Sequence, residues 1–80
     1  STSSGMVIYP NPVKTNLMLD NLQNVERIVI SNLIGQQIIT KNNIGESRIT
    51  MDVSSLPRGI YLISVYGKDG RTETGKFMRE

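Results

Sequence analysis

Eighty residues, 38% of them apolar, supply about thirty hydrophobic side chains, enough for one core and one domain and too few to spare for a deep catalytic cleft. Nine basic against seven acidic residues give a net charge of +2, with the bases scattered from Lys14 to Arg79, so the concentrated basic and aromatic face that nucleic acid requires is absent. With neither cysteine nor histidine the chain lacks thiolate nucleophiles, disulfides, the common zinc ligands and a histidine base, which argues against an enzyme and leaves no metal or cofactor implied.

Residues 1–5 are small and polar, without the basic end and apolar centre of a signal peptide, and read as a linker remnant ahead of one domain spanning 6–80. Beyond them the hydrophobic period is two. Leu17 and Leu19 flank Met18, Ile28 and Ile30 flank Val29, and Ile49, Met51 and Val53 alternate with Thr50 and Asp52. With turn signals about every 8 to 12 residues, this predicts seven strands over residues 6–9, 16–19, 27–31, 36–41, 47–52, 59–66 and 72–78. The longest apolar run, residues 60–65, is broken by Ser64 and is far shorter than the roughly 20 residues of a membrane helix, so no membrane span is expected.

The connections have local causes. Tyr9-Pro10-Asn11-Pro12 removes two backbone donors and holds the chain extended, so the first strand ends there and the chain crosses to the other sheet. Asp20-Asn21 is turn chemistry, since a calcium site needs six or more oxygens and no second contributor is in view. Asn32 to Gly35 supplies the positive-φ residue of a tight hairpin; Asn42, Asn43 and Gly45 are expected to do the same, and Lys68-Asp69-Gly70 holds an Asp-Gly hairpin pair. Asp52-Val53-Ser54-Ser55 reads as an Asx turn, its serines without an activator. The strand at 59–66 is apolar on both faces and is expected to be central and covered on both sides.

Leu56-Pro57-Arg58-Gly59-Ile60-Tyr61 carries the clearest mechanism. In Ig-like sandwiches a tyrosine near the start of the sixth strand sends its hydroxyl back to upstream backbone and fixes the corner between the sheets. Leu56 would plug the core end, Pro57 would stop the preceding strand, and Gly59 would let the chain turn close to the Tyr61 ring. In the last strand Lys76 and Arg79 surround Phe77 and Met78. Either Phe77 docks in the core while the charges discourage edge pairing, or the strand is a recognition handle.

Taken in order, Tyr9-Pro10-Asn11-Pro12, Ile30-Ser31-Asn32-Leu33-Ile34-Gly35-Gln36, Asp52-Val53-Ser54-Ser55-Leu56-Pro57-Arg58-Gly59-Ile60-Tyr61 and Lys76-Phe77-Met78-Arg79 resemble the type A C-terminal sorting domain of the type IX secretion system, over residues 7–79. The resemblance implies an all-β, seven-stranded Ig-like antiparallel β-sandwich, in agreement with the strand pattern, acting as a non-enzymatic secretion signal. It further implies a fused N-terminal cargo domain exported through the periplasm to the cell surface or extracellular space. The outer-membrane translocon and its shuttle components would recognise the signal, and a sortase-like cysteine protease would commonly remove it. Residue by residue, the family's Pro-Asn-Pro motif falls on Pro10, Asn11 and Pro12, and its glycine hairpin on Gly35. Its Leu-x-x-Gly-x-Tyr motif falls on Leu56, Gly59 and Tyr61, and its terminal basic-apolar motif on Lys76, Phe77 and Met78, with Arg79 where lysine is commoner. The alternative is a structural or carbohydrate-binding Ig-like module of a surface protein, with Tyr9 and Tyr66 as its aromatic platform.

Overall fold

The computed structural model describes residues 6–42 and 45–80; the linker assigned to residues 1–5, and Asn43 in the turn assigned to Asn42, Asn43 and Gly45, lie outside the described residues. Period-two alternation yields β1 (Val7–Tyr9), β2 (Asn16–Asp20), β3 (Val25–Ser31), β4 (Gln37–Asn42), β5 (Ile49–Asp52), β6 (Gly59–Gly67) and β7 (Thr72–Arg79). β3 begins two residues before the predicted start because a bulge between Val25 and Arg27 lets Val25 pair with Gly67. Among the described residues no helix is long and apolar enough to cross a membrane.

The strands form a three-stranded sheet, β1-β2-β5, facing a four-stranded sheet, β4-β3-β6-β7, with every neighbouring pair antiparallel. This is an Ig-like β-sandwich. Its interior is apolar throughout: Phe77, Leu17, Leu19, Ile28, Ile30, Ile63, Val13 and Val53 are fully buried, and among the described residues no polar or charged residue is buried. Gly75 of β7 provides a close approach between the sheets. A Cβ there would lie 2.6 Å from the tip of Ile8, so the missing side chain is the space into which β1 settles.

Two turns have the chemistry read from their sequences. In the β3–β4 hairpin, Asn32 Oδ1 accepts from the amides of Ile34 (3.1 Å) and Gln36 (3.0 Å), while Gly35 takes φ +92°. Between β6 and β7, the Gly67 amide donates to Arg71 O and Asp69 Oδ1 accepts from the Arg71 amide.

Three expectations are corrected. The Asn42-to-Gly45 connection is no hairpin, because β5 pairs with β2 in the other sheet. The burial pattern gives the reason: Ile49 and Met51 of β5 are buried opposite Leu19 and Leu17 of β2, whereas β4 is mostly exposed and suits an outer edge. The proline segment does not carry the chain permanently across either. β1 and β2 pair within one sheet, Ile8 opposite Leu19, and the segment between them only touches the other sheet before returning. Finally, β6 is central but covered on one side. Tyr61, Ile63 and Val65 are buried, while Ile60 is 40% exposed and Leu62 half-buried, because a two-layer fold has no third layer to place over that face.

Phe77 is 1% exposed and stacks on Tyr61, ring centroids 5.6 Å apart. Replacing Phe77 with alanine is expected to cost about 3–5 kcal/mol, a large share of the roughly 5–15 kcal/mol available to a domain. Urea or guanidinium unfolding should show the midpoint collapse.

Candidate recognition site

β7 is the outer strand of its sheet, so every second residue turns its N–H and C=O away from β6. From the Lys76 C=O to the Glu80 N–H those groups are taken up by one short segment. The Asn11 side chain donates from Nδ2 to Lys76 O (3.4 Å) and accepts at Oδ1 from the Met78 amide (2.9 Å). Val13 continues the pairing: its amide donates to Met78 O (2.9 Å) and its carbonyl accepts from the Glu80 amide (2.8 Å), a parallel bridge to Arg79. A primary amide presents a donor and an acceptor in one plane, so Asn11 imitates the peptide group of a missing strand. Pro10 and Pro12, each preceded by a cis peptide bond (Tyr9–Pro10 and Asn11–Pro12), have no N–H to leave unpaired beside the edge.

The start of β6 is joined to the same strand. Tyr61 donates its hydroxyl to Pro57 O at 2.5 Å, the corner bond anticipated above, while Leu56 is buried and Gly59 takes φ +148°, a conformation closed to most side chains. Gly59 pairs with Arg79 and Tyr61 with Phe77. Arg79 is fully engaged: Nε donates to Val53 O (2.9 Å), Nη2 to Ser54 O (3.0 Å) and Nη1 to Glu80 O. A guanidinium spreads its donors over three nitrogens and reaches carbonyls that a lysine ammonium could not serve together, which gives arginine its place here.

The carbonyls that receive Arg79 are positioned by Asp52. Its Oδ1 accepts from Ser54 Oγ (2.6 Å) and from the Ser54 amide (2.9 Å), closing the predicted Asx turn. Those bonds, the Ser54 hydroxyl first, hold the Asp52 carboxyl below its ordinary value. Asp20 is lowered in the same direction, mainly by the Asn21 amide at 2.8 Å and then by Arg48 at 3.1 Å.

Of the residues singled out by sequence, Pro10, Asn11, Pro12, Leu56, Gly59, Tyr61, Lys76, Phe77, Met78 and Arg79 gather around the C-terminal half of β7. Phe77 faces the core, while Lys76 and Met78 face outward. Gly35 stands apart, closing the hairpin two strands from β7. Tyr9 and Tyr66 do not form a shared platform: they belong to different sheets, and the Arg27 guanidinium lies 4.6 Å from the centre of the Tyr66 ring. Sequence reasoning missed Val13, fully buried and bridging to Arg79. An apolar residue directly after Pro-Asn-Pro was its only signal. Among the described residues no three carboxylates gather as a metal site would require.

The family model for the secretion system C-terminal sorting domain matches residues 7–80, taking in the Asn11 clasp, the tyrosine corner and all of β7. The chain belongs to that family. Membership makes it a sorting signal for type IX secretion, directing export to the cell surface or extracellular space; the family is not known as enzymatic. No curated protein matches the chain. In this sorting domain the two motif segments furthest apart in sequence are one hydrogen-bonded unit, with 67 positions separating Asn11 from Met78.

Asn11→Ala is expected to free the Met78 N–H and Lys76 C=O, costing on the order of 1 kcal/mol and speeding hydrogen exchange at the Met78 amide without disturbing Ile63. Acid should act through the two lowered carboxyls. As pH falls below the ordinary carboxylate value of about 4, the unfolded chain takes up protons before the folded one, so stability is present above that value and is lost as pH drops through the folded values. Ser54→Ala should move Asp52 back toward its ordinary value, read directly by NMR titration of the side-chain carboxyl.

Proposed function

We propose that residues 6–80 are a non-enzymatic type A sorting signal, read in the folded state by the outer-membrane translocon and its shuttle components. The cargo is fused N-terminally through the linker at residues 1–5 and reaches the translocon by way of the periplasm. A sortase-like cysteine protease on the surface then commonly removes the domain. The recognition residues are Pro10, Asn11, Pro12, Gly35, Leu56, Gly59, Tyr61, Lys76, Phe77, Met78 and Arg79, in two kinds of role. Asn11, Leu56, Gly59, Tyr61, Phe77 and Arg79 hold the β7 edge in shape; Lys76 and Met78 are the outward groups a receptor meets.

The observation that carries this reading is the closure of the β7 edge by Asn11 and Val13 over the last residues of the chain. It gives the matched family's two terminal motifs a common physical purpose, a rigid composite surface that exists only when the domain is folded. A composition without histidine or cysteine supports a label over a catalyst.

Fusing residues 1–80 to a periplasmic reporter, in a host that has the pathway, should bring the reporter to the surface. Retention in the periplasm would overturn the reading. Deleting residues 76–80 should abolish export and also lower the melting temperature, since Phe77 and Arg79 leave with the segment. A truncated fusion that still exports would remove these residues from the signal.

A further inference from the structure

Peroxides attack protein sulfur, and with no cysteine in the chain the four methionines carry all of it. Three of the thioethers are guarded. Met51 is 4% exposed within the core, and Met6 is half-buried and packs on that core. Met18, half-buried on β2, has its sulfur occupied by the Thr50 hydroxyl, which donates to it at 3.0 Å. Met78 differs: it is 43% exposed, on the outward side of β7 opposite Ile60. It is the thioether that an oxidant meets first.

The main chain of Met78 is as fixed as its side chain is open. Its amide donates to Asn11 Oδ1 and its carbonyl accepts from the Val13 amide, both at 2.9 Å, and Phe77 before it is held in the core. A change at the sulfur therefore leaves the strand in place and alters only what the surface offers. A thioether is soft, apolar and adaptable, whereas a sulfoxide is chiral and carries a strongly polar S–O group. Beside Ile60 the exchange turns an apolar contact into one that holds on to its water.

We propose that Met78 is an oxidation site, and that its conversion by a peroxide to the sulfoxide lowers the affinity of the signal for its receptor. A sulfur lone pair forms a bond to one peroxide oxygen as the O–O bond breaks. The departing hydroxide takes the proton left on the new S–O–H group and leaves as water; the sulfur has lost two electrons and the peroxide has gained them. A methionine sulfoxide reductase, with a thiol as electron donor, reverses the step. The effect on affinity rests on the sorting-signal reading above, in which Met78 is one of the outward groups a receptor meets; the selectivity among the four methionines does not.

The test treats the purified 80-residue chain with limiting hydrogen peroxide and follows its four methionines by peptide mass spectrometry. Met78 should oxidise at least about tenfold faster than Met51, and ahead of Met6 and Met18. Oxidation of Met6 or Met18 first overturns the site. The melting temperature of the singly oxidised chain should be kept; a fall would place the effect in the fold and overturn an effect at the surface. The reduced chain should bind the host's detergent-purified translocon, the singly oxidised chain should bind about tenfold more weakly, and the reductase should restore the loss. Equal binding of the two forms overturns the effect on affinity while leaving the sorting-signal reading in place. In Met78→Leu, whatever its own affinity, peroxide should leave binding where it was, and a tenfold loss there would remove Met78 as the cause. A reduced chain that fails to bind also overturns the effect on affinity; a fusion of residues 1–80 held in the periplasm removes the sorting-signal reading with it, while the order of oxidation stands or falls by itself.

Discussion

An outer β-strand that ends next to the core must have its unpaired backbone groups satisfied, and the domain meets that requirement on β7 with a side-chain amide. Asn11 takes the place of a peptide unit, Val13 resumes true backbone pairing, and the row from the Lys76 C=O to the Glu80 N–H is closed. Much else follows from this arrangement. It brings the chain between β1 and β2 across to the other sheet and back, seats Val13 in the core, and fixes where Phe77 and Met78 fall relative to the interior. Without it, β7 would hold only to β6, and the sheet would have a sticky flank beside exposed Met78 and Ile60.

The corner at Tyr61 and the fork of Arg79 complete the frame from the opposite side. Both anchor on carbonyls of the β5–β6 connection, Pro57 for the tyrosine and Val53 and Ser54 for the arginine. That connection is in turn shaped by Asp52, an exposed carboxylate whose contribution is local geometry rather than net charge. A loop with no regular structure of its own is thus held by polar contacts to its carbonyls together with Val53 and Leu56, which it buries in the core.

The strand pattern was legible because period-two alternation is a property of each segment by itself, as at Leu17 and Leu19 or Ile49 and Met51. The tyrosine corner and the Asn32 and Asp52 turns were legible for the same reason: their partners lie within a few residues. Sheet membership was not. Nothing local says that β5 should leave β4 for β2, a choice made by which faces bury together. The role of Asn11 was hidden as well, since its partners are 65 and 67 positions away, and a motif that looks like a rigid spacer turns out to be a hydrogen-bonding surrogate. β6 misled in the other direction, its second apolar face looking like core where the fold leaves it open to solvent.

The parallel sense of the Val13–Arg79 bridge has a mechanical side. The chain enters this contact and leaves it in the same direction along β7, so tension between the two ends draws the segments lengthwise past each other. The bonds from Val13 to Met78 and Glu80 are then loaded together in shear instead of being unzipped one after another. Such a joint resists pulling far better than an antiparallel hairpin peeled from its tip.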